Sequence, residues 1–290
     1  MSDPFPTCYL NGKYQSLAEA CISPLDRGFL FADGVYEVVP VHRGRPFRLR
    51  AHLARLARGQ QAIGLDDTHD ETHWREILQS LIEAAAAPEL LIYLQLTRGA
   101  EWGRNHLLSS ASEPTVFAFA SPYPAPNAAT LENGLSVVTM ADIRWARCDI
   151  KSIALLANVM LRRHATEHHG AEALLIRDGA VTEGSSSSVL AVSGGRLLTA
   201  PDSHLILSGT TRDALLELSQ GWLSHELRPI KAEELRDCEE VWIASSGRGV
   251  LPVTRVDGRP IGNGRPGSHW REMYARLQRH LDELASTPVL

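Results

Sequence analysis

Three lysines stand against twenty-six arginines in this chain of 290 residues. Arginine serves wherever a permanent cation is wanted, whereas an amine that must lose its proton or condense with a carbonyl has to come from lysine. Lys151, in Arg147-Cys148-Asp149-Ile150-Lys151-Ser152, is therefore a candidate covalent catalyst, although scarcity alone does not choose it over Lys13 or Lys231. Three more stretches carry chemistry of their own. Val181-Thr182-Glu183-Gly184-Ser185-Ser186-Ser187-Ser188 places a carboxylate before a glycine and four hydroxyls, a pattern that also suits a solvated turn. Leu207-Ser208-Gly209-Thr210-Thr211-Arg212 leads into an amphipathic run. Its first N–H groups and the positive end of the helix dipole offer an anion seat, with plain capping by Ser208 or Thr210 as the simpler alternative. Ala244-Ser245-Ser246-Gly247 closes an apolar strand with two further hydroxyls.

The elements that must position these groups read as two domains. Residues 1–120 form the smaller N-terminal domain, 121–133 a linker, and 134–290 a larger C-terminal domain that contains Lys151. Three prolines at every second position of Ser121-Pro122-Tyr123-Pro124-Ala125-Pro126-Asn127 favour an extended connection. In the first domain Asn11-Gly12 predicts a tight hairpin, and Val35–His42 and Pro46–Leu49 read as strands flanking a second turn. Helices are expected from Leu53 past Ile63 and over Trp74–Ala87, with strands at Glu89–Thr97 and Thr115–Ala120. In the second, Leu135–Ala141 is a strand. Ile153, Leu156, Ala157, Met160 and Leu161 then recur at helical spacing, which puts Lys151 at a strand-to-helix connection. Ala173–Arg177, Val189–Val192 and Arg196–Thr199 suggest an antiparallel meander. A helix over Thr211–Gln220, a strand over Glu240–Ala244, a hairpin at Asp257-Gly258 and a helix over His269–Leu284 complete an α+β fold.

Composition narrows the partners. A net charge of −5 and a hydrophobic content of 44% describe a globular protein with full-sized cores and argue against nucleic acid or an anionic membrane as partner. Cys8, Cys21, Cys148 and Cys238 lie far apart with no C-x-x-C pair and are expected to be free thiols. Met1 to Pro6 lacks a basic start followed by an apolar run, and no apolar stretch is long enough for a bilayer, so a cytoplasmic location follows. Histidines four apart, His164 with His168 and His69 with His73, suggest metal ligands. A zinc hydrolase of the H-E-x-x-H kind needs glutamate where Ala165 and Asp70 stand, so no metal is expected. No G-x-S-x-G supports a serine hydrolase.

An amine, a carboxylate and an anion seat are the set that pyridoxal phosphate needs, for its Schiff base, its pyridinium nitrogen and its phosphate. In order and spacing, Cys148-Asp149-Ile150-Lys151-Ser152, Val181 to Ser187 and Gly209-Thr210-Thr211-Arg212 resemble the class IV aminotransferases, the pyridoxal phosphate enzymes of fold type IV. Asp26 to Val38 and His52-Leu53-Ala54-Arg55-Leu56 extend the resemblance over nearly the whole chain, which is most similar to the family's D-amino acid aminotransferases. The resemblance implies a two-domain fold with the cofactor at the domain interface. Lys151 tethers the cofactor and moves the substrate proton; Glu183 partners the pyridine nitrogen; Arg55, Gly209, Thr210, Thr211, Ser245 and Ser246 hold the phosphate. Leu207 packs on the ring, and Ser185 and Ser186 lie near it and help orient Glu183 or bound water. Arg104-Asn105-His106 resembles the family's carboxylate trap, with Tyr36 as a third contact. The trap reaches in from a neighbouring subunit, which implies a homodimer. Arg98 reads instead as a strand-end surface residue. Departures from the family pattern are Ala32 for glycine, Ser188 for asparagine, Thr210 for an aliphatic residue, Gly247 for a hydroxyl, and a longer loop over 98–106.

The implied reaction transfers the amino group of D-amino acids, D-alanine among them, to 2-oxo acids such as 2-oxoglutarate. Aminodeoxychorismate lyase shares the lysine, glutamate and phosphate seat but eliminates pyruvate. A branched-chain or amine transaminase is a further alternative.

Overall fold

Asn11 and Gly12 both take positive φ, 46° and 86°, as a two-residue primed turn requires, and β1 (Thr7–Leu10) folds back on β2 (Lys13–Ser16) across them. This hairpin opens a computed structural model that describes residues 6–66, 69–107 and 113–286. The reading of Met1 to Pro6 as lacking a leader falls, up to Phe5, outside the described residues. The chain divides into two compact units. One runs to Tyr123 and includes Ile150–Ala154; the other comprises Pro124–Asp149 and Leu155–Ser286. Lys151 therefore belongs to the first unit, although both of its flanks belong to the second.

In the first unit α1 (Arg27–Phe31) precedes β3 (Gly34–His42) and the two-residue β4 (Arg45–Pro46); α2 (Leu49–Ala62), α3 (Glu71–Ala85), β5 (Glu89–Thr97) and β6 (Thr115–Pro122) follow. The sheet runs β2-β1-β6-β5-β3-β4 and is antiparallel throughout. The strand expected over Pro46–Leu49 ends at Pro46, because Arg48 turns to φ 53° and Leu49 starts α2. On β3, Val35, Glu37, Val39 and Val41 share the buried parity of the strand. The three valines join a core with Leu53 and Leu56 of α2 and Trp74, Ile77, Leu78 and Leu81 of α3.

A short β4 leaves the start of β3 without a neighbour on that side, and the Lys151 segment takes the place. Tyr36 N–H donates to the Lys151 carbonyl at 2.9 Å, Ile153 N–H donates to the Gly34 carbonyl at 3.1 Å, and Val35 bridges Ser152. Gly34 has no alternative here. A Cβ would overlap the Leu96 carbonyl and press on the Ile153 side chain at 3.1 Å. Ile150 is buried in the unit's core and fixes the segment from the other end.

The second unit starts earlier in the chain than expected. Only residues 123–127 of the expected linker 121–133 are extended. β6 runs through Pro122, and the Asn127 side chain accepts from Thr130 N–H at 2.7 Å to cap α4 (Ala128–Asn133). β7 (Leu135–Ala141) and α5 (Leu156–Glu167) follow, then β8 (Ala173–Arg177), β9 (Ala180–Gly184), β10 (Ser188–Ser193), β11 (Arg196–Thr199) and α6 (Thr210–Ser219). β12 (His225–Leu227), β13 (Ile230–Lys231), β14 (Glu240–Ser245), β15 (Gly249–Val256), β16 (Arg259–Pro260) and α7 (Ser268–Ser286) complete it. The sheet order is β12-β11-β10-β14-β15-β7-β8-β9-β13, with β16 beside β15.

Of the strands expected as a meander, β10 pairs antiparallel with β11, but β8 is not beside β10 and pairs antiparallel with β9; β7 lies parallel to both β15 and β8, so the sheet is mixed. Glu183 sits in β9 and not in a loop, since Val181–Gly184 are buried. On α5 only Leu161 of the expected apolar stripe turns fully into the core, while Leu156, Val159 and Met160 are exposed. All four cysteines are unpaired. Among the described residues no helix is long and apolar enough to cross a membrane.

Candidate active site

Each unit assembles part of the expected site. In the first, Lys151 Nζ lies 4.1 Å over the centroid of the Tyr36 ring, whose other neighbour is Tyr93, stacked with centroids 5.6 Å apart. Tyr36 and Lys151 are thus brought together by the strand pairing of their own backbones. The next residue, Glu37, points the other way and is wholly buried. His52 and Arg55, three apart on α2, meet it there: His52 Nδ1 at 2.7 Å, Arg55 Nε at 2.7 Å and Arg55 NH2 at 2.8 Å. Burial pushes the Glu37 carboxyl up, but Arg55 and His52 outweigh it and hold the group far below the usual carboxylate range. Burial likewise lowers His52, which stays neutral at neutral pH despite its carboxylate neighbour.

Arg55, expected at the phosphate, therefore has its fork fixed by a carboxylate. The sequence reading missed Glu37 and His52, yet a signal existed: Glu37 occupies an inward parity of an apolar strand, where a charge requires a buried partner.

The Arg104-x-His106 pair is also brought together. Arg104 lies 4.9 Å over the Phe31 ring, and the His106 ring is 5.2 Å from it, with both side chains exposed. The loop beneath is anchored by Arg27, which donates to the carbonyls of Asn105 at 2.6 Å and His106 at 3.4 Å and to Asp33 at 2.9 Å. Arg98 is not a surface residue. It is buried, reaches both oxygens of Asp33 at 2.9 and 3.1 Å, and donates to the carbonyls of Ile63 and Gly64. Ala32, the departure from glycine, has φ 55°, a left-handed conformation that explains why glycine is usual there.

In the second unit Glu183 is buried, with Arg144 on Oε1 and the Leu207 N–H on Oε2 at 3.1 Å. Leu207 thus contributes its amide to Glu183 in addition to any contact by its side chain. Arg144 is shared with Asp142, through Nε at 2.9 Å and NH2 at 2.8 Å. The structure does not give the serine hydroxyls to Glu183. Ser185 donates to Glu172, as do Ser186 at 3.0 Å and Ser187 at 3.4 Å, and Glu172 is wholly buried. Glu172 and the Arg144–Glu183 contact carried no local signal, because those partners lie far apart in sequence, and an Asp142-x-Arg144 pair by itself does not mark a site.

α6 starts at Thr210 with Gly209 as its N-cap, and no side chain of that cap closes the helix, which leaves the first turn suited to an external anion. Arg212 pins this turn to Asp202 at 2.6 Å. Ser245 and Ser246 begin a four-residue turn closed by the Arg248 N–H on the Ser245 carbonyl at 3.2 Å. The lysine beside a tyrosine in the first unit, and in the second a buried carboxylate bonded by an arginine and a helix start without its own side-chain cap, are each of a donor type that pyridoxal phosphate requires.

Comparison with known proteins agrees. The sequence profile of the amino-transferase class IV family matches residues 34–256. A D-alanine aminotransferase of Bacillus licheniformis is 39% identical over 279 residues, covering 96% of this chain and 98% of the relative. A structure from Mycobacterium tuberculosis, described as a hypothetical aminotransferase with alpha-ketoglutarate and PMP bound, superimposes with a TM-score of 0.83 at 26% identity, covering 96% of this chain and 98% of that one. The branched-chain amino acid aminotransferase of Escherichia coli shares the fold, with a TM-score of 0.86 at 20% identity over 93% of this chain and 92% of that one.

Proposed function

The chain belongs to the class IV aminotransferases, and from that premise we propose that it transfers the amino group of D-amino acids, D-alanine first, to 2-oxo acids such as 2-oxoglutarate. Pyridoxal phosphate, the family's cofactor, supplies the electron sink that makes the substrate's Cα–H acidic and lets the nitrogen change owner. Lys151 holds the cofactor and carries the proton on Nζ; its carbonyl accepts from the Tyr36 N–H and the following Ile153 N–H is held by Gly34, which limits where that proton can be delivered. Glu183 serves the pyridine nitrogen. Arg55, Ser245, Ser246 and the first amides of α6, with Gly209, Thr210 and Thr211, take the phosphate. Ser185 and Ser186 act through the loop they fold around Glu172.

Arg104 and His106, with Tyr36, are assigned to the substrate carboxylate. A carboxylate fixed on one side presents only one enantiomer's Cα–H to a base that is itself fixed. The observation that carries the D-amino acid reading is the gathering of Arg104 and His106 on one ring, Phe31, over a loop that Arg27 ties down. A homodimer, which rests on the family resemblance, and a cytoplasmic setting, which the four unpaired cysteines support, complete the proposal.

The deciding assay supplies D-alanine with 2-oxoglutarate, L-leucine with 2-oxoglutarate, and aminodeoxychorismate in parallel. D-glutamate from the first alone is the expected result. Aminobenzoate from the third alone would make the chain a lyase, and turnover of leucine alone a branched-chain enzyme.

A further inference from the structure

Glu183 does not face the cofactor as an isolated carboxylate. It ends a buried chain of alternating charge that runs through four side chains of one unit. Arg177 NH2 lies 3.2 Å from Asp142 Oδ1; Asp142 takes Nε and NH2 of Arg144 at 2.9 and 2.8 Å; Arg144 NH1 reaches Glu183 Oε1. Thr182, beside Glu183 on β9, donates its hydroxyl to Asp142 Oδ2 at 2.9 Å, and the Leu205 carbonyl accepts from Arg144 at 3.4 Å. The side chains of Asp142, Arg144 and Glu183 are all nearly or wholly inaccessible to solvent. The remaining ionisable neighbour is Cys148, whose thiol burial pushes up and so keeps neutral. His204 contributes only its carbonyl, which accepts from the Cys148 amide at 2.8 Å.

We propose that Arg144 is a positioning residue that sets how tightly Glu183 holds a proton on the cofactor's pyridine nitrogen, with Asp142 as its counterweight. The proposal rests on the reading of Glu183 as that nitrogen's partner. A guanidinium on one oxygen of a carboxylate draws off part of the negative charge the other side can offer, and in a buried cluster the effect is poorly screened. Were Arg144 paired with Glu183 alone, the carboxylate would offer the pyridine little. Because Asp142 holds two donors of the same guanidinium, Arg144 is largely neutralised from behind, and Glu183 keeps enough charge to stabilise a protonated ring. Arg177 in turn moderates Asp142. The arrangement also fixes geometry, because Arg144 and the Leu207 amide grip different oxygens of Glu183 and stop its rotation.

This alternation predicts shifts of opposite sign, which a purely structural role would not produce. The holoenzyme is prepared with pyridoxal phosphate carrying nitrogen-15 in its ring, and the pH midpoint of ring protonation is read from the nitrogen-15 resonance. Removing a cation next to Glu183 favours the protonated ring, so Arg144→Gln should raise the midpoint by about one unit. Removing the counterweight releases Arg144 onto Glu183, so Asp142→Asn should lower it by about as much. Arg144→Lys should stay near the wild type. Should either buried variant fail to fold, Arg177→Gln should still raise the midpoint by a fraction of the Arg144→Gln shift. Midpoints that do not move, or that move the same way in the arginine and aspartate variants, overturn the proposal. Glu183→Gln separates the two readings: if it leaves the midpoint at the wild-type value, Glu183 is not the pyridine's partner, and the underlying assignment is what fails.

Discussion

Glu37 in one unit and Glu172 in the other are both wholly buried, and their surroundings differ in kind. Glu37 meets a guanidinium fork and an imidazole, all at 2.7 to 2.8 Å. Glu172 meets mainly neutral donors, namely the hydroxyls of Ser185, Ser186 and Ser187 and the amide of Ala173 at 3.1 Å. Arg248 and Arg162 stand off at 3.4 and 3.5 Å. A carboxylate gripped by a guanidinium and an imidazole immobilises a buried cation, Arg55. One gripped by hydroxyls folds the loop that follows it, and so steadies the end of β9 beside Glu183. The same residue type thus fixes the pose of an arginine in one place and of a turn in the other.

The comparison can be broken by neutralising each carboxylate. Glu37→Gln leaves Arg55 buried beside an uncharged amide, and unfolding by urea should show a loss of about 3–5 kcal/mol, the range for removing one partner of a buried pair. Pyridoxal phosphate affinity should fall with it, since Arg55 loses its fixed pose. Glu172→Gln disturbs hydrogen bonds from neutral donors and leaves the two arginines at a distance, so the same measurement should give about 1–3 kcal/mol. Equal losses would erase the distinction between the two sites.

Acid should separate the units further. His52 has a lowered folded pKa, so below its unfolded value of about 6.5 the unfolded chain takes a proton that the native state refuses, and stability declines as pH falls from there. Glu37 is depressed, so its contribution is complete above about pH 4.3 and is lost as pH falls from that point through the folded value. Asp33 and Asp142 are held below the carboxylate range as well and share the acid limb. Urea midpoints followed from pH 8 to pH 2 should decline in two stages, with His52→Asn flattening the first and Glu37→Gln the second. A first stage that survives His52→Asn assigns it to another group.

The smallest expected effect lies at Ala32, where the left-handed φ of 55° opposes a side chain. Ala32→Gly should raise stability by roughly 0.5–1 kcal/mol, read as a small rise in melting temperature, because relief of strain exceeds the added freedom of the unfolded glycine. No matching relief exists around Glu172, where the nearby Gly184 is already glycine and a Cβ would strike the Ser187 hydroxyl.

What the sequence disclosed follows from how far each signal reaches. Lys151 and the start of α6 were singled out on local grounds, one scarce amine and one Gly-Thr-Thr step before a periodic run, and the helix does begin at that step. Hairpins and long strands were legible from Asn11-Gly12 and from the alternation in β5. Arg98 was misread as a surface residue because Asp33 and the carbonyls of Ile63 and Gly64, which bury it, are distant in sequence. Glu183 was placed in a loop because four serines follow it, although burial extends β9 through Gly184. Arg144 had no legible role at all, since Glu183 is distant in sequence and Asp142, two residues away, gives an ordinary local pair.

The placement of Lys151 on the open edge of β3 also orders the life of the molecule. During synthesis every strand of the six-stranded sheet has been made once Pro122 has left the ribosome, yet the edge beside Gly34, Val35 and Tyr36 stays unfilled until Lys151–Ile153 emerge. Lys151 therefore arrives as a late addition to a scaffold already translated. A nascent chain that stalls before it holds a nearly complete first unit with one stretch of the β3 edge still open.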